Sequence, residues 1–173
     1  MYNPINLQTS RLRLRPFVML DASAVFRYTS DAEFSKYLDY DAPSSEADAI
    51  GFLRMVLAGE MGTNLWAIAL TNQPEVIGAI QFNIESSEIA SLHYEIARWL
   101  WGQGLASEAV SAVLDWAKVA YPKIIEIHAD AHIANAASRR VLEKFGFKLI
   151  SIEDDSAYYM QSVSWSNNPD VTD

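Results

Sequence analysis

Arg98-Trp-Leu-Trp-Gly-Gln-Gly-Leu-Ala-Ser-Glu-Ala109 decides the fold: an apolar strand runs into two glycines separated by one residue and then straight into an amphipathic helix. Gly102 and Gly104 carry no Cβ, so the backbone there can adopt unusual dihedrals and aim successive N–H groups at an anion. The helix N-terminus behind them adds partial positive charge. The stretch reads as a pyrophosphate cradle, and the segments around it must say what the pyrophosphate belongs to.

Upstream, Leu92, Tyr94 and Ile96 alternate with Ser91, His93 and Glu95. Alternation along a strand puts the latter three on one face, where they can line a cleft. Before them, Leu65–Leu70 and Val76–Ile84 read as strands joined by a turn at 71–75, with Val76, Ile80, Phe82 and Ile84 expected on one face. Downstream, Ala109, Val113 and Trp116 form the apolar stripe of the helix opposite Glu108, Ser111, Asp115 and Lys118, and Pro122 stops it. Residues 123–129 are an apolar strand, so strand, glycine loop, helix and strand form a crossover that implies a parallel pair. Asn135 caps the next helix, which carries Ser138 in its first turn and ends at Gly146. Two strands follow, near 147–152 and 157–164.

At the N-terminal end, Arg11, Arg13 and Arg15 alternate with Leu12 and Leu14 in a strand over 10–17, near an edge of the sheet. Asp21 and Asp31 are expected to cap helices over about 22–29 and about 32–38. Ser45 and Asp48 have capping-box spacing before a helix whose buried stripe is Ile50, Leu53, Val56 and Leu57. Together these elements describe one mixed sheet with helices on its faces.

The chain has 173 residues, half of them hydrophobic, which suits one packed domain. A net charge of −9 with 13 Lys plus Arg disfavours a nucleic-acid groove and suits a cationic partner. No apolar run approaches the roughly 18 residues of a membrane span, and the N-terminal residues lack the pattern of a signal peptide, so a cytoplasmic protein without membrane partners is expected. The chain contains no cysteine, which excludes disulfides, a thiolate metal site and a cysteine nucleophile. No metal is expected.

Trp101-Gly-Gln-Gly-Leu-Ala-Ser-Glu-Ala109 and Asn135-Ala-Ala-Ser-Arg-Arg-Val-Leu-Glu-Lys-Phe-Gly-Phe147 resemble the two signature motifs of the GNAT N-acetyltransferases, in the branch similar to ribosomal-protein N-terminal acetyltransferases. Thr9-Ser-Arg-Leu-Arg-Leu-Arg-Pro16 and Val76-Ile-Gly-Ala also resemble that branch, so the likeness covers about residues 8–153. It implies a single GNAT-like α/β (α+β) domain over 1–173, with a polar tail from about 166. Its sheet would be mixed, mostly antiparallel and twisted, of about seven strands with helices on both faces. Acetyl-CoA would be the cofactor. The loop of Trp101, Gly102, Gln103, Gly104, Leu105 and Ala106 would hold the pyrophosphate, Ile96 would offer backbone groups to the pantetheine arm and acetyl carbonyl, and Asn135 would hydrogen-bond the arm. The branch commonly has tryptophan at the Trp101 position.

Ser138 would sit near the sulfur and protonate the leaving thiolate, because the position where many relatives carry a tyrosine is Leu142 here. The strand position where the branch usually carries an acid is Ser91, so the general base is not carried over, and water relayed by His93 or Glu95 takes that place. The acceptor implied is a primary amine, either a protein N-terminus or a small cationic amine. Asp39, Tyr40 and Asp41 lie where it would approach, and the protein would act as a monomer or homodimer. Two alternatives stand beside this reading. One is an acyl-CoA-binding sensor without turnover. The other is a dinucleotide oxidoreductase that uses Gly102, Gly104 and Asp130.

Overall fold

The computed structural model describes residues 2–38 and 41–165. Its strands are β1 (Leu7–Gln8), β2 (Leu12–Arg15), β3 (Leu65–Leu70), β4 (Val76–Ile84), β5 (Ile89–Ile96), β6 (Glu126–His132), β7 (Lys148–Glu153) and β8 (Ser156–Ser162). The helices are α1 (Ala22–Thr29), α2 (Ala32–Ser35), α3 (Glu46–Ala58), α4 (Leu105–Ala120) and α5 (Ala136–Lys144). All eight strands form one sheet in the order β1-β2-β3-β4-β5-β6-β8-β7. Every pairing is antiparallel except β5 with β6. That single parallel pair rules out the doubly wound sheet of a dinucleotide oxidoreductase. The seven expected strands are present, and β1, too short to show any alternation, is added at the edge.

One face of the sheet is covered by α4 and α5. Leu12, Leu14, Trp66, Ile80, Phe82 and Leu92 pack there with Leu105, Val110 and Val113, each large side chain contributing about 1.5–3 kcal/mol on full burial. The other face carries α1 to α3, with Phe17, Val25, Tyr28, Leu53 and Val56 against Ala67, Val76 and Ala79. Strand β4 serves both cores. Ile68 pairs with Gly78 but Ala69 with Val76, so Ile77 is an extra residue in a β-bulge. The bulge overturns the expected single face: Val76 packs with the α1–α3 core and Ile77 with the α4 core, while Ile84 is partly exposed at the strand end.

Other boundaries move for local reasons. Thr9 N–H donates to the Leu12 carbonyl at 2.9 Å and Leu12 N–H returns to Thr9 Oγ1 at 2.8 Å. This closes a turn that takes Arg11 out of the strand in which the alternation placed it. Asp31 does cap α2, accepting from the Glu33 and Phe34 N–H groups, although that helix ends at Ser35. Asp21 makes no capping bond; its carboxylate is held by Arg15, at 2.7 and 2.8 Å, and by the Val18 N–H. In α3 the Asp48 carboxylate accepts from the Ser44 and Ser45 N–H groups. Its buried residues are Ala49, Leu53 and Val56, with Leu57 rotated toward solvent. Strand β6 begins later than expected and reaches His132, because α4 ends at Ala120 and a turn from Tyr121 to Ile124 intervenes. Among the described residues no helix is long and apolar enough to cross a membrane.

Candidate functional site

The parallel pair is short. Ile89, Ala90 and Ser91 pair with Glu126, Ile127 and His128, and beyond them the two strands part. Strand β5 stays on β4 as far as Ile96 opposite Gly78, and β6 stays on β8 as far as His132 opposite Ser156. Between the two pairs lies a cleft within the sheet, whose inner backbone groups have no ladder partner across the gap. Gly78 lets β4 keep hold of β5 this far: a Cβ there would overlap the Glu95 carbonyl oxygen and lie 3.0 Å from the Ile96 Cα.

The apolar strand expected to run straight into the glycines stops at Ile96, and a 3-10 turn over Arg98–Leu100 intervenes. Beyond it Gly102 and Gly104 hold φ of +77° and +75°, the left-handed region that glycine enters without cost. A Cβ on Gly102 would meet nothing within 4 Å, so the loop faces open space. Leu105, only 3% exposed, anchors the start of α4 in the core and leaves the N–H groups of the first turn, Ala106 included, without helical acceptors. These donors, the open space and the helix dipole together fit a pyrophosphate. The Trp101 indole N–H donates to the Ile96 carbonyl at 2.6 Å, so this side chain braces the loop against the strand. Tyr37, which no sequence pattern marked, lies with its ring 6.2 Å from Trp101 and 5.5 Å from His132, linking the loop to the end of β6.

Glu108, on the first turn of α4, ties this region to the β1–β2 turn. Its carboxylate accepts from the Thr9 and Ser10 hydroxyls, from the Arg11 N–H at 2.9 Å and from Arg11 Nε at 2.6 Å. Burial works to raise its pKa, but the hydrogen bonds from Thr9 and Arg11 prevail and hold it at about 2. A depressed carboxylate pKa stabilises the folded state above its unfolded value, and that contribution is lost as pH falls through the folded value. Glu108→Gln is therefore expected to cost about 1–2 kcal/mol at neutral pH. The difference from the parent should shrink between pH about 4.5 and about 2, as followed by denaturant unfolding across that range. An unchanged difference at pH 2 and pH 7 would contradict the assignment.

Across the cleft, Asn135 Oδ1 accepts from the Ser138 N–H at 3.0 Å and starts α5 as expected. Ser138 is brought to β5 by Tyr94, whose hydroxyl lies 3.0 Å from both the Ser138 carbonyl and Oγ. Burial raises the Tyr94 phenol to about 12, against the lowering effect of its bond to Ser138, so it remains protonated. Leu142, 1% exposed, faces the core. Sequence reading passed over Tyr94 as one more residue of an apolar stripe. Behind α5, Arg139 Nε donates to the Tyr159 hydroxyl at 2.9 Å, which fastens the helix to β8.

The opposite face of the sheet carries Ser91, His93 and Glu95, as the alternation predicts. They do not act as one group. Ser91 is buried at the last paired position and donates to Glu85 at 2.7 Å, and that bond, then one from Asn83, lowers the Glu85 pKa. The carboxylate nearest Ser91 is therefore that of Glu85, from the β4–β5 hairpin. Glu95, at the open end, accepts from the Tyr28 hydroxyl at 2.6 Å. His93 Nδ1 lies 3.8 Å from Asp130 Oδ1. Asp41 is exposed, while Asp39 and Tyr40 lie outside the described residues.

Residues 11–148 match the acetyltransferase (GNAT) domain family. An uncharacterized N-acetyltransferase, p20 of Bacillus licheniformis, is 31% identical over 146 residues, covering 82% of each chain. Among solved structures, a GNAT-family acetyltransferase from Bacillus anthracis superposes with TM-score 0.78 at 24% identity, over 91% of this chain and 98% of that one. RimL, a ribosomal L7/L12 alpha-N-protein acetyltransferase in complex with coenzyme A, superposes with TM-score 0.79 at 18% identity, over 94% and 100%. With a family match over most of its length and a curated relative of this similarity, the chain belongs to the GNAT acetyltransferase family.

Proposed function

We propose that the protein is a cytoplasmic N-acetyltransferase, a single catalytic unit across the chain, that moves an acetyl group from acetyl-CoA to the α-amine of a protein N-terminus. The observation that carries this reading is the common use of β5. The glycine loop follows it after one 3-10 turn over Arg98–Leu100 and is tied back to its last residue by Trp101. Ser138 is held against the same strand by Tyr94 at 3.0 Å, where pairing with β6 has ended. Both ends of one extended ligand are thereby referred to a single strand.

Acetyl-CoA supplies an acyl thioester, already activated toward amines. The N–H groups of residues 102–106 bind the phosphates, with Trp101 supporting the loop. Asn135 and the backbone at Ile96 orient the arm. The Ser138 hydroxyl delivers a proton at the sulfur position, steadied by the neutral Tyr94 phenol. With no cysteine in the chain to carry an acyl group, the amine attacks directly. It must be neutral to do so. An α-amine of pKa about 7.7–8.0 needs far less assistance than a lysine near 10.4, and water held by Glu95 or His93 removes its proton. The carboxylates of Glu85, Glu95 and Asp130 around this face favour an acceptor that arrives with positive charge.

Thiol release from acetyl-CoA, measured over a panel of N-terminal peptides, polyamines and aminoglycosides, tests the reading. Turnover is expected with peptides, and Ser138→Ala is expected to lower it about 100-fold or more with CoA affinity within about twofold. Tight CoA binding without thiol release across the panel would instead identify a sensor, and release only with polyamines or aminoglycosides would exclude the protein N-terminus as acceptor.

A further inference from the structure

Arg11 lies in the Thr9–Pro16 stretch, outside the two signature motifs, yet its side chain reaches the glycine loop of the first. Its Nη1 donates to the Gln103 carbonyl at 2.9 Å while its Nε is held by Glu108 at 2.6 Å, and a Cβ on Gly104 would lie 3.7 Å from its Nη2. In a trans peptide the C=O and the following N–H point in opposite directions. Drawing the Gln103 carbonyl toward Arg11 therefore turns the Gly104 N–H away from it, to the opposite side of the loop. Glycine on both sides of Gln103, each at positive φ, leaves this peptide freer to flip than any between residues with side chains. Something outside the loop has to choose its orientation.

We propose that Arg11 is the positioning residue of the phosphate loop: it selects the orientation of the 103–104 peptide in which the Gly104 N–H faces the pyrophosphate, and Glu108 is the support that aims it. The inference rests on the acetyl-CoA reading above. Arg11 acts through the loop, not by touching the ligand, and this sets its signature apart from a direct charge contact. The guanidinium fork is essential because Nε and Nη1 engage two acceptors at a fixed spacing, which one ammonium group cannot do. The Thr9, Ser10 and Arg11 donors on Glu108 leave that carboxylate a single orientation, so the turn between β1 and β2, far away in sequence, becomes part of the phosphate site.

The experiment measures affinity for CoA and 3′-dephospho-CoA by calorimetry, and for phosphate-free pantetheine by NMR titration, with the parent, Arg11→Gln, Arg11→Lys, Glu108→Gln and the Arg11→Gln/Glu108→Gln double variant. Loss of one oriented donor to a charged group corresponds to about a 10- to 100-fold weaker complex. Arg11→Gln is expected to weaken CoA and dephospho-CoA by the same factor in that range and to leave pantetheine unchanged. Lysine should not restore binding, and the double variant should be no worse than the weaker single one, because both act through one contact. In turnover, KM for acetyl-CoA should rise while kcat stays within about twofold.

A loss confined to CoA would mean that Arg11 contacts the 3′-phosphate directly and would overturn the positioning role. Equal loss for all three ligands would mean general damage, and additive effects in the double variant would separate Glu108 from Arg11; either result overturns it. Should Arg11→Gln fail to fold, Glu108→Gln carries the same ligand comparison. If the parent itself does not bind CoA, the acetyl-CoA reading falls and this inference with it, whereas undiminished binding by Arg11→Gln removes this inference alone.

Discussion

Gly78→Ala is expected to lower the stability of the protein by about 2–4 kcal/mol, the range of an overpacked core with a backbone shift, and thereby to lower its thermal midpoint by roughly 5–15 °C. The reason lies in what the new methyl would meet. The Glu95 carbonyl oxygen and Ile96 Cα occupy its place, and both are backbone, so no side chain can swing aside. Either β4 and β5 separate at this end, with loss of the Gly78–Ile96 pairing, or the Ile77 bulge deepens. Both outcomes displace Ile96, to which the Trp101 indole is tied at 2.6 Å, so acetyl transfer should fall together with stability. Calorimetric unfolding checks the first effect and thiol release the second. A variant that melts with the parent would show that β5 has slack at this point and that the cleft is not set by β4.

Gly104→Val is expected to act in the opposite proportion. A β-branched residue held at the φ of +75° found here is strained by about 1–3 kcal/mol. The loop can relieve that strain by changing conformation, since its surroundings are open. The thermal midpoint should therefore move by only a few degrees, while CoA affinity falls more than about 100-fold as the N–H groups lose their common direction. The Cβ at this position lies on the side of Arg11 Nη2, at 3.7 Å, so the damage comes through loop geometry and not through filling the space the phosphates need. Retained micromolar binding by calorimetry would remove the cradle assignment.

The contrast between these two glycines shows what the sequence disclosed. Gly102 and Gly104 are legible because two glycines between a strand and a helix perform a local task, and local tasks leave local patterns. Gly78 is silent, since its reason is a strand 18 residues further on. The same division holds for the side chains. Asn135 and Asp48 cap helices within their own turns and were readable. Asp21 had the same look and serves Arg15 instead. Tyr94, Tyr37 and Tyr28 hold Ser138, the loop and Glu95 through contacts 44 residues, tens of residues and 67 residues away along the chain. Their types fit an apolar stripe just as well, so no spacing distinguishes them. The bulge at Ile77 defeats alternation for the same reason: one extra residue reverses every later side chain, and only the partner strand shows that it is there.

The placement of β8 between β6 and β7 has a consequence for how the molecule is made. Strand β6 is laid down early, but its outer edge has no neighbour until Ser156–Ser162 arrives, and α5 is fastened to the sheet through Tyr159 of that same late strand. The phosphate loop and its helix can collapse onto β1–β5 while synthesis continues. The Asn135–Ser138 turn has one anchor in β5, through Tyr94, and gains its second only when β8 is made and pairs with β6. The glycine loop is thus synthesised well before the strand that braces α5 through Tyr159, and a chain ending before residue 156 would lack that brace.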